Sequence, residues 1–136
     1  YVRHQEPSVR IRVGEARGPV LTLKKGKGVK RTEVETVVPE DVAEALFEAA
    51  EERIIEKTRW TLDGWELDRF AGGLEGLTLL EIELEDVDAP VGTPPTGIHI
   101  LREVTEDKRF TSNHLARLKP KERGRFVRRA YEEVEE

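Results

Sequence analysis

Residues 54–70 read IIEKTRWTLDGWELDRF, and the spacing of charge within them decides the fold. Successive side chains of a β-strand point to opposite faces, so Lys57 and Arg59 share one face while Trp60 takes the other. Glu66 and Asp68 repeat the pattern with Trp65 and Leu67 opposite them. Between the two runs, Asp63-Gly64 favours the positive backbone angles of a tight two-residue turn. The spacing therefore predicts a hairpin of residues 54–62 and Trp65–Phe70 with one charged side.

The same inversion recurs at Arg10/Arg12 in VRIRV, Lys24 in VLTLKK, Arg31/Glu33/Glu35 in RTEVET and Glu81/Glu83 in EIELE. A sheet with one solvated face would alternate in this way too. The charges, however, are grouped by sign rather than mixed. Like charges two apart on a strand repel unless a ligand or a facing strand of opposite sign compensates them. A charged cavity inside a small closed sheet is the expected reading, with a solvated outer face as its alternative.

A chain of 136 residues is suited to one hydrophobic core and predicts a single domain over 1–136. Its 23 basic and 28 acidic residues leave a net charge of −5, so the basic clusters are local and a broad nucleic-acid-binding surface is disfavoured. The absence of cysteine excludes disulfides, thiol nucleophiles and thiolate metal sites. His4, His99 and His114 show no ligand spacing, so any metal must be held by oxygen. No apolar stretch approaches the roughly 20 residues that span a bilayer, and the expected location is cytoplasmic, with no membrane partner.

Outward from the hairpin, Val9–Val13 and Val20–Lys25 flank the turn-rich GEARGP and read as two paired strands. Arg31–Val38 reads as a third strand, ended by Pro39. Val42, Ala45, Leu46 and Ala49 then recur at helical spacing over 40–52, with Pro39 and two acids at the start. Leu77–Val87 is the longest strand candidate, and the proline-rich 88–96 an irregular loop. Residues 119–136 predict a terminal helix with Phe126, Val127, Ala130, Tyr131 and Val134 on its apolar stripe. Its basic stretch from Lys119 to Arg129 reads first as a solvated helix face, and second as a nucleic-acid or polyphosphate patch.

If the sheet closes with its charged face inside, Arg10, Arg12, Lys24, Arg31, Lys57 and Arg59 confront Glu33, Glu35, Glu66, Asp68, Glu81 and Glu83. Unpaired buried charge is costly, so such a lumen is wet, internally paired or occupied. A polyanion with a divalent cation suits it: Arg and Lys hold phosphate oxygens, and carboxylates hold Mg²⁺ or Mn²⁺. The implied chemistry is metal-assisted hydrolysis of a phosphoanhydride.

The run VRIR, LTLKKGKG, RTEVE, IIEKTRW, WELDRF, GLTLLEIELE and REVTEDKRFTSNHLA resembles the CYTH domain of the triphosphate tunnel metalloenzymes, in order and spacing, across about residues 8–118. The resemblance implies an α+β fold built on an antiparallel β-barrel, a tunnel with a charged lumen and flanking helices. It further implies hydrolysis of inorganic triphosphate or a triphosphorylated organic substrate with Mg²⁺ or Mn²⁺. Carried over by position, Arg10, Arg12, Lys24, Arg31, Lys57 and Arg59 match triphosphate-binding residues, and Glu81 and Glu83 match metal ligands. Lys57, Glu33 and Glu35 match catalytic positions, the two acids orienting metal or water, and Glu66 and Asp68 match supporting acids that pair the cations.

The family's opening Glu-x-Glu-x-Lys strand, which bears further metal-side carboxylates, has no counterpart from Tyr1 onward. The expectation is that this stretch lacks that strand and has little activity by itself. Two other function classes stay open, a non-catalytic tunnel that grips polyphosphate or a nucleotide, and a class IV adenylate cyclase; so does a purely structural scaffold. A triphosphate-bearing small molecule is the expected partner, and assembly as a homodimer is open.

Overall fold

The computed structural model describes residues 1–14, 18–26, 32–84, 86 and 88–135. Arg31 lies outside them. The elements run β1 (Ser8–Arg12), β2 (Val20–Lys25), β3 (Thr32–Val37), α1 (Glu40–Ala50), β4 (Lys57–Leu62), β5 (Trp65–Phe70), β6 (Thr78–Ile82), α2 (Ser112–Arg117) and α3 (Pro120–Glu135). The architecture is α+β, with two antiparallel three-stranded sheets, β1-β2-β3 and β4-β5-β6. Two compact units contain them: Tyr1–Ile54 with Thr111–Lys119, and Ile55–Phe110 with Pro120–Glu136. Among the described residues no helix is long and apolar enough to cross a membrane.

In the first unit, Arg10 lies opposite Thr22 and Thr22 opposite Glu35, so the three share one face. Val9, Leu23 and Val34 form the corresponding row on the other face. The N-terminal segment folds back along β1, where Val9 N–H donates to the Arg3 carbonyl at 2.9 Å. Helix α1 starts after Pro39, with Glu40 and Asp41 beside the exposed amides of its first turn. It ends at Ala50 rather than Glu52, because Glu51 turns to a positive φ of 52°.

Helix α2 was not foreseen by periodicity, being only 6 residues long. A local cap starts it: the Thr111 hydroxyl accepts from His114 N–H at 3.2 Å. Leu115 and Ala116 are its buried residues.

In the second unit, the hairpin turn places Asp63 at φ 50° and Gly64 at φ 84°, the two positive angles that Asp-Gly favours. Strand β4 begins at Lys57, three residues later than expected from sequence, since its partner β5 ends at Phe70, opposite Lys57. Beyond that pair the bond from Ala71 N–H to the Glu56 carbonyl continues, and the chain then enters a 3₁₀ turn at Gly72–Leu74. Strand β6 is likewise shorter than the expected 77–87. Among the described residues it pairs only with β5, and Ile82 already lies opposite Trp65, the first residue of that strand; Glu85 and Val87 of the expected stretch lie outside the described residues.

Helix α3 packs on the Gly72–Leu74 turn. A Cβ on Gly73 would lie 3.0 Å from Arg123 Cδ, so glycine permits the close approach. Tyr131 Oη donates to the Gly76 carbonyl at 2.7 Å, and Arg123 and Val127 are buried beneath the helix. The 102–110 segment is tied to α3 by Arg102 and Arg109, which both pair with Glu133 and with Asp107, and by the Phe110–Phe126 ring contact.

Candidate functional site

The charged face of β4-β5-β6 converges on Asp68, which is only 1% exposed. Its carboxylate accepts from Lys57 Nζ at 2.9 Å, from Arg59 Nε at 2.7 Å and from Arg59 Nη2 at 2.8 Å. Register explains the convergence: Arg59 lies directly opposite Asp68, and Lys57 is two residues along on the same face. Arg59 Nη1 also pairs with Glu66, and Lys57 Nζ stands 5.5 Å from the centre of the Phe70 ring, a cation–π contact. Burial pushes the Asp68 carboxyl up, but hydrogen bonds from Arg59 and Lys57 outweigh it and hold the group below the ordinary carboxylate value. Arg59 is raised by its hydrogen bond to Asp68 and by the charges of Asp68, Glu66 and Glu81, against the opposing effect of burial.

Glu66 faces Glu81 across β5-β6, two like charges in direct opposition. That arrangement disfavours folding unless a cation lies between or beside them, and Arg59 supplies one on the Glu66 side. Glu83 follows Glu81 by two residues but falls beyond the end of β6. Their carboxylate oxygens suit a hard divalent ion. Among the described residues, no three acidic, histidine or cysteine side chains converge as a metal site.

The first unit carries its own charged row. Arg12 Nη2 pairs with Glu35 at 3.3 Å, and Lys24 lies opposite Glu33. The Nε of Arg10 and the hydroxyl of Thr22 are buried without a hydrogen-bond partner among the described residues. A buried donor without a partner is costly, and a bound anion would satisfy Arg10.

Each sheet has buried and exposed residues on both faces. On the charged faces Thr22, Val20, Asp68 and Phe70 are buried while Arg12, Lys57, Arg59 and Glu81 are exposed; on the opposite faces Ile11 and Trp65 are buried while Leu23, Val34, Trp60 and Leu62 are exposed. Thus the first unit brings together Arg10, Arg12, Lys24, Glu33 and Glu35, and the second Lys57, Arg59, Glu66, Asp68 and Glu81. Sequence reasoning missed Thr22 and Phe70, although each sits two residues from a charged position, Lys24 and Asp68, and so inherits its face.

Over 118 residues the chain is 35% identical to the inorganic triphosphatase of Acetivibrio thermocellus, covering 83% of this chain and 74% of that protein. The chain belongs to the inorganic triphosphatase family. An inorganic triphosphatase of Nitrosomonas europaea is 41% identical over 102 residues, covering 71% of this chain and 66% of that protein. Among solved structures, the crystal structure of a hypothetical protein aligns with a TM-score of 0.56 and 36% identity, over 82% of this chain and 76% of the other. No protein-family model matches the chain.

Proposed function

We propose that this protein hydrolyses inorganic triphosphate or a triphosphorylated small molecule with Mg²⁺ or Mn²⁺, inside an antiparallel tunnel lined by the charged faces of its strands. The observation that carries the reading is the buried Asp68 carboxylate, which holds the Lys57 and Arg59 cations together on one strand face. Family membership gives the substrate class.

In this reading Arg10, Arg12, Lys24, Arg31, Lys57 and Arg59 bind the phosphate oxygens. Of the five N–H donors on Arg59, those on Nε, Nη1 and Nη2 that face Asp68 and Glu66 are already engaged, so it presents its remaining edge as a fixed cation. Lys57 keeps free hydrogens on Nζ and meets the transferring phosphoryl group more directly. Asp68 holds both cations in place and stays ionised while doing so. Glu81 and Glu83 would hold the divalent ion through their carboxylate oxygens. When bound, the ion neutralises charge on the phosphoryl oxygens. Glu33 and Glu35 orient the attacking water by accepting its hydrogen. Its oxygen bonds to the terminal phosphorus as the bridging P–O bond breaks, giving phosphate and diphosphate from inorganic triphosphate.

The test is phosphate release from inorganic triphosphate, with and without Mg²⁺ or Mn²⁺, alongside cyclic AMP formation from ATP. Metal-dependent phosphate release supports the proposal. Cyclic AMP formation, or tight triphosphate binding without turnover, overturns it in favour of a cyclase or a binding tunnel.

A further inference from the structure

Helix α3 is held by one face, and the opposite face carries a basic stripe that the proposed hydrolysis does not use. At about 100° per residue, Lys121, Arg125, Arg128 and Arg129 fall on one arc. All four are exposed. The buried arc holds Arg123 and Val127 against the Gly72–Leu74 turn, and the Tyr131–Gly76 bond fixes the rotation of the helix. The stripe is therefore presented outward by packing. Among the described residues none of its four cations forms an ion pair. Like charges three and four residues apart destabilise a helix, and here they stand together in a protein whose net charge is −5. Glu132 is the one acid on the arc, at its C-terminal end.

We infer that this stripe is a docking surface for linear inorganic polyphosphate. At a rise of about 1.5 Å per residue the cations from Lys121 to Arg129 extend over about 12 Å, longer than a single triphosphate. Three of the four are Arg, whose planar fork suits phosphate oxygens. The exposed arc bears no aromatic side chain: Phe126 turns to Phe110, and Tyr131 to Gly76. It thus offers no platform on which nucleic-acid bases could stack. Nor does it offer an apolar residue to enter a membrane interface or anchor a peptide. These features favour a polyanion without bases, lipid tails or side chains. The inference stands apart from the proposed hydrolysis, because the stripe shares no residue with it.

The experiment is equilibrium binding of the full chain to long-chain polyphosphate over a range of salt, for the wild type, R125Q/R128Q/R129Q and E132Q. The triple variant is expected to lose affinity roughly tenfold or more and to flatten the salt slope by about three, one per removed charge. E132Q, which removes the only acid on the stripe, is expected to bind more tightly. The rate of triphosphate hydrolysis is expected to stay at the wild-type value in both, and the melting temperature of the triple variant to stay level or rise as the repulsion is relieved. Equal polyphosphate affinity in wild type and triple variant overturns the inference. So does equally tight binding of single-stranded RNA or of phosphatidylserine vesicles by the wild type. Loss of triphosphate hydrolysis in Lys57→Ala bears on the proposed function alone, so the two readings fail separately.

Discussion

Lys57 Nζ donates to Asp68 Oδ2 at 2.9 Å, from a lysine side chain 26% exposed to a carboxylate side chain 2% exposed. The asymmetry assigns the roles: the buried partner is the anchor, and the accessible one faces whatever enters. Lys57→Ala or Arg59→Ala is therefore expected to weaken triphosphate binding by about 1–3 kcal/mol, the range for a lost charge-assisted contact. Titration calorimetry with inorganic triphosphate reads it, and unchanged affinity in both variants would remove these cations from the site.

Asp68→Asn keeps the shape of the anchor but removes its charge, leaving Lys57 and Arg59 against a neutral amide. A loss of about 1–3 kcal/mol in folding stability is expected, measured by urea denaturation. If stability is unchanged, the anchor is not structural.

Glu81 and Glu83 give the metal reading its own test. Mg²⁺ or Mn²⁺ should raise the melting temperature of the wild type, more so with triphosphate present, by preferential binding to the folded state. Glu83→Gln should show a smaller rise. The same rise in both proteins would place the ion elsewhere.

His4 predicts a pH dependence near neutrality. Its Nδ1 lies 2.7 Å from Asn113 Oδ1, and its Nε2 is buried without a partner among the described residues. Burial, with the charges of Arg117 and Arg53, lowers its pKa below 6.5 despite the Asn113 bond. The unfolded chain thus binds a proton first as pH falls. Stability is full above pH 6.5 and declines as pH drops from there to the folded value. Melting curves from pH 8 to 5 should show that decline in the wild type and less of it in His4→Gln.

The network of Asp107, Arg109 and Glu133 predicts a second, more acidic loss. Arg109 holds both carboxyls down to about 2, against ordinary values of 3.8 and 4.5. Their stabilisation is complete above about pH 4.5 and disappears as pH falls toward 2. Arg109→Gln should flatten the dependence of melting temperature on pH across that window.

Which residues share a face was legible in the sequence, because strand alternation is a local property: Lys57 with Arg59, and Glu66 with Asp68, follow from spacing alone. Which acid pairs with which cation depends on register. Only the Asp63-Gly64 turn encodes register openly, and it sets Arg59 opposite Asp68. Strand ends were misjudged where a partner ran out, as at Ile82 opposite Trp65. Helix α2 was too short for periodicity, and the burial of Arg123 rests on the close approach of Gly73, which no local pattern announces. The likeness to triphosphatases carried by EKTR, WELD and EIELE agrees with the names of the relatives.

The two-residue turn between β4 and β5 also limits how this hairpin can evolve. Side chains alternate with period two, so inserting or deleting one residue within either strand reverses every side chain beyond it. Lys57 and Arg59 would then exchange places with Thr58 and Trp60. Length changes that keep the charged face intact must come in pairs, or as a bulge that absorbs the odd residue. Deep mutational scanning with single-codon insertions should therefore find residues 57–70 far less tolerant than the 88–96 loop, and double insertions less damaging than single ones.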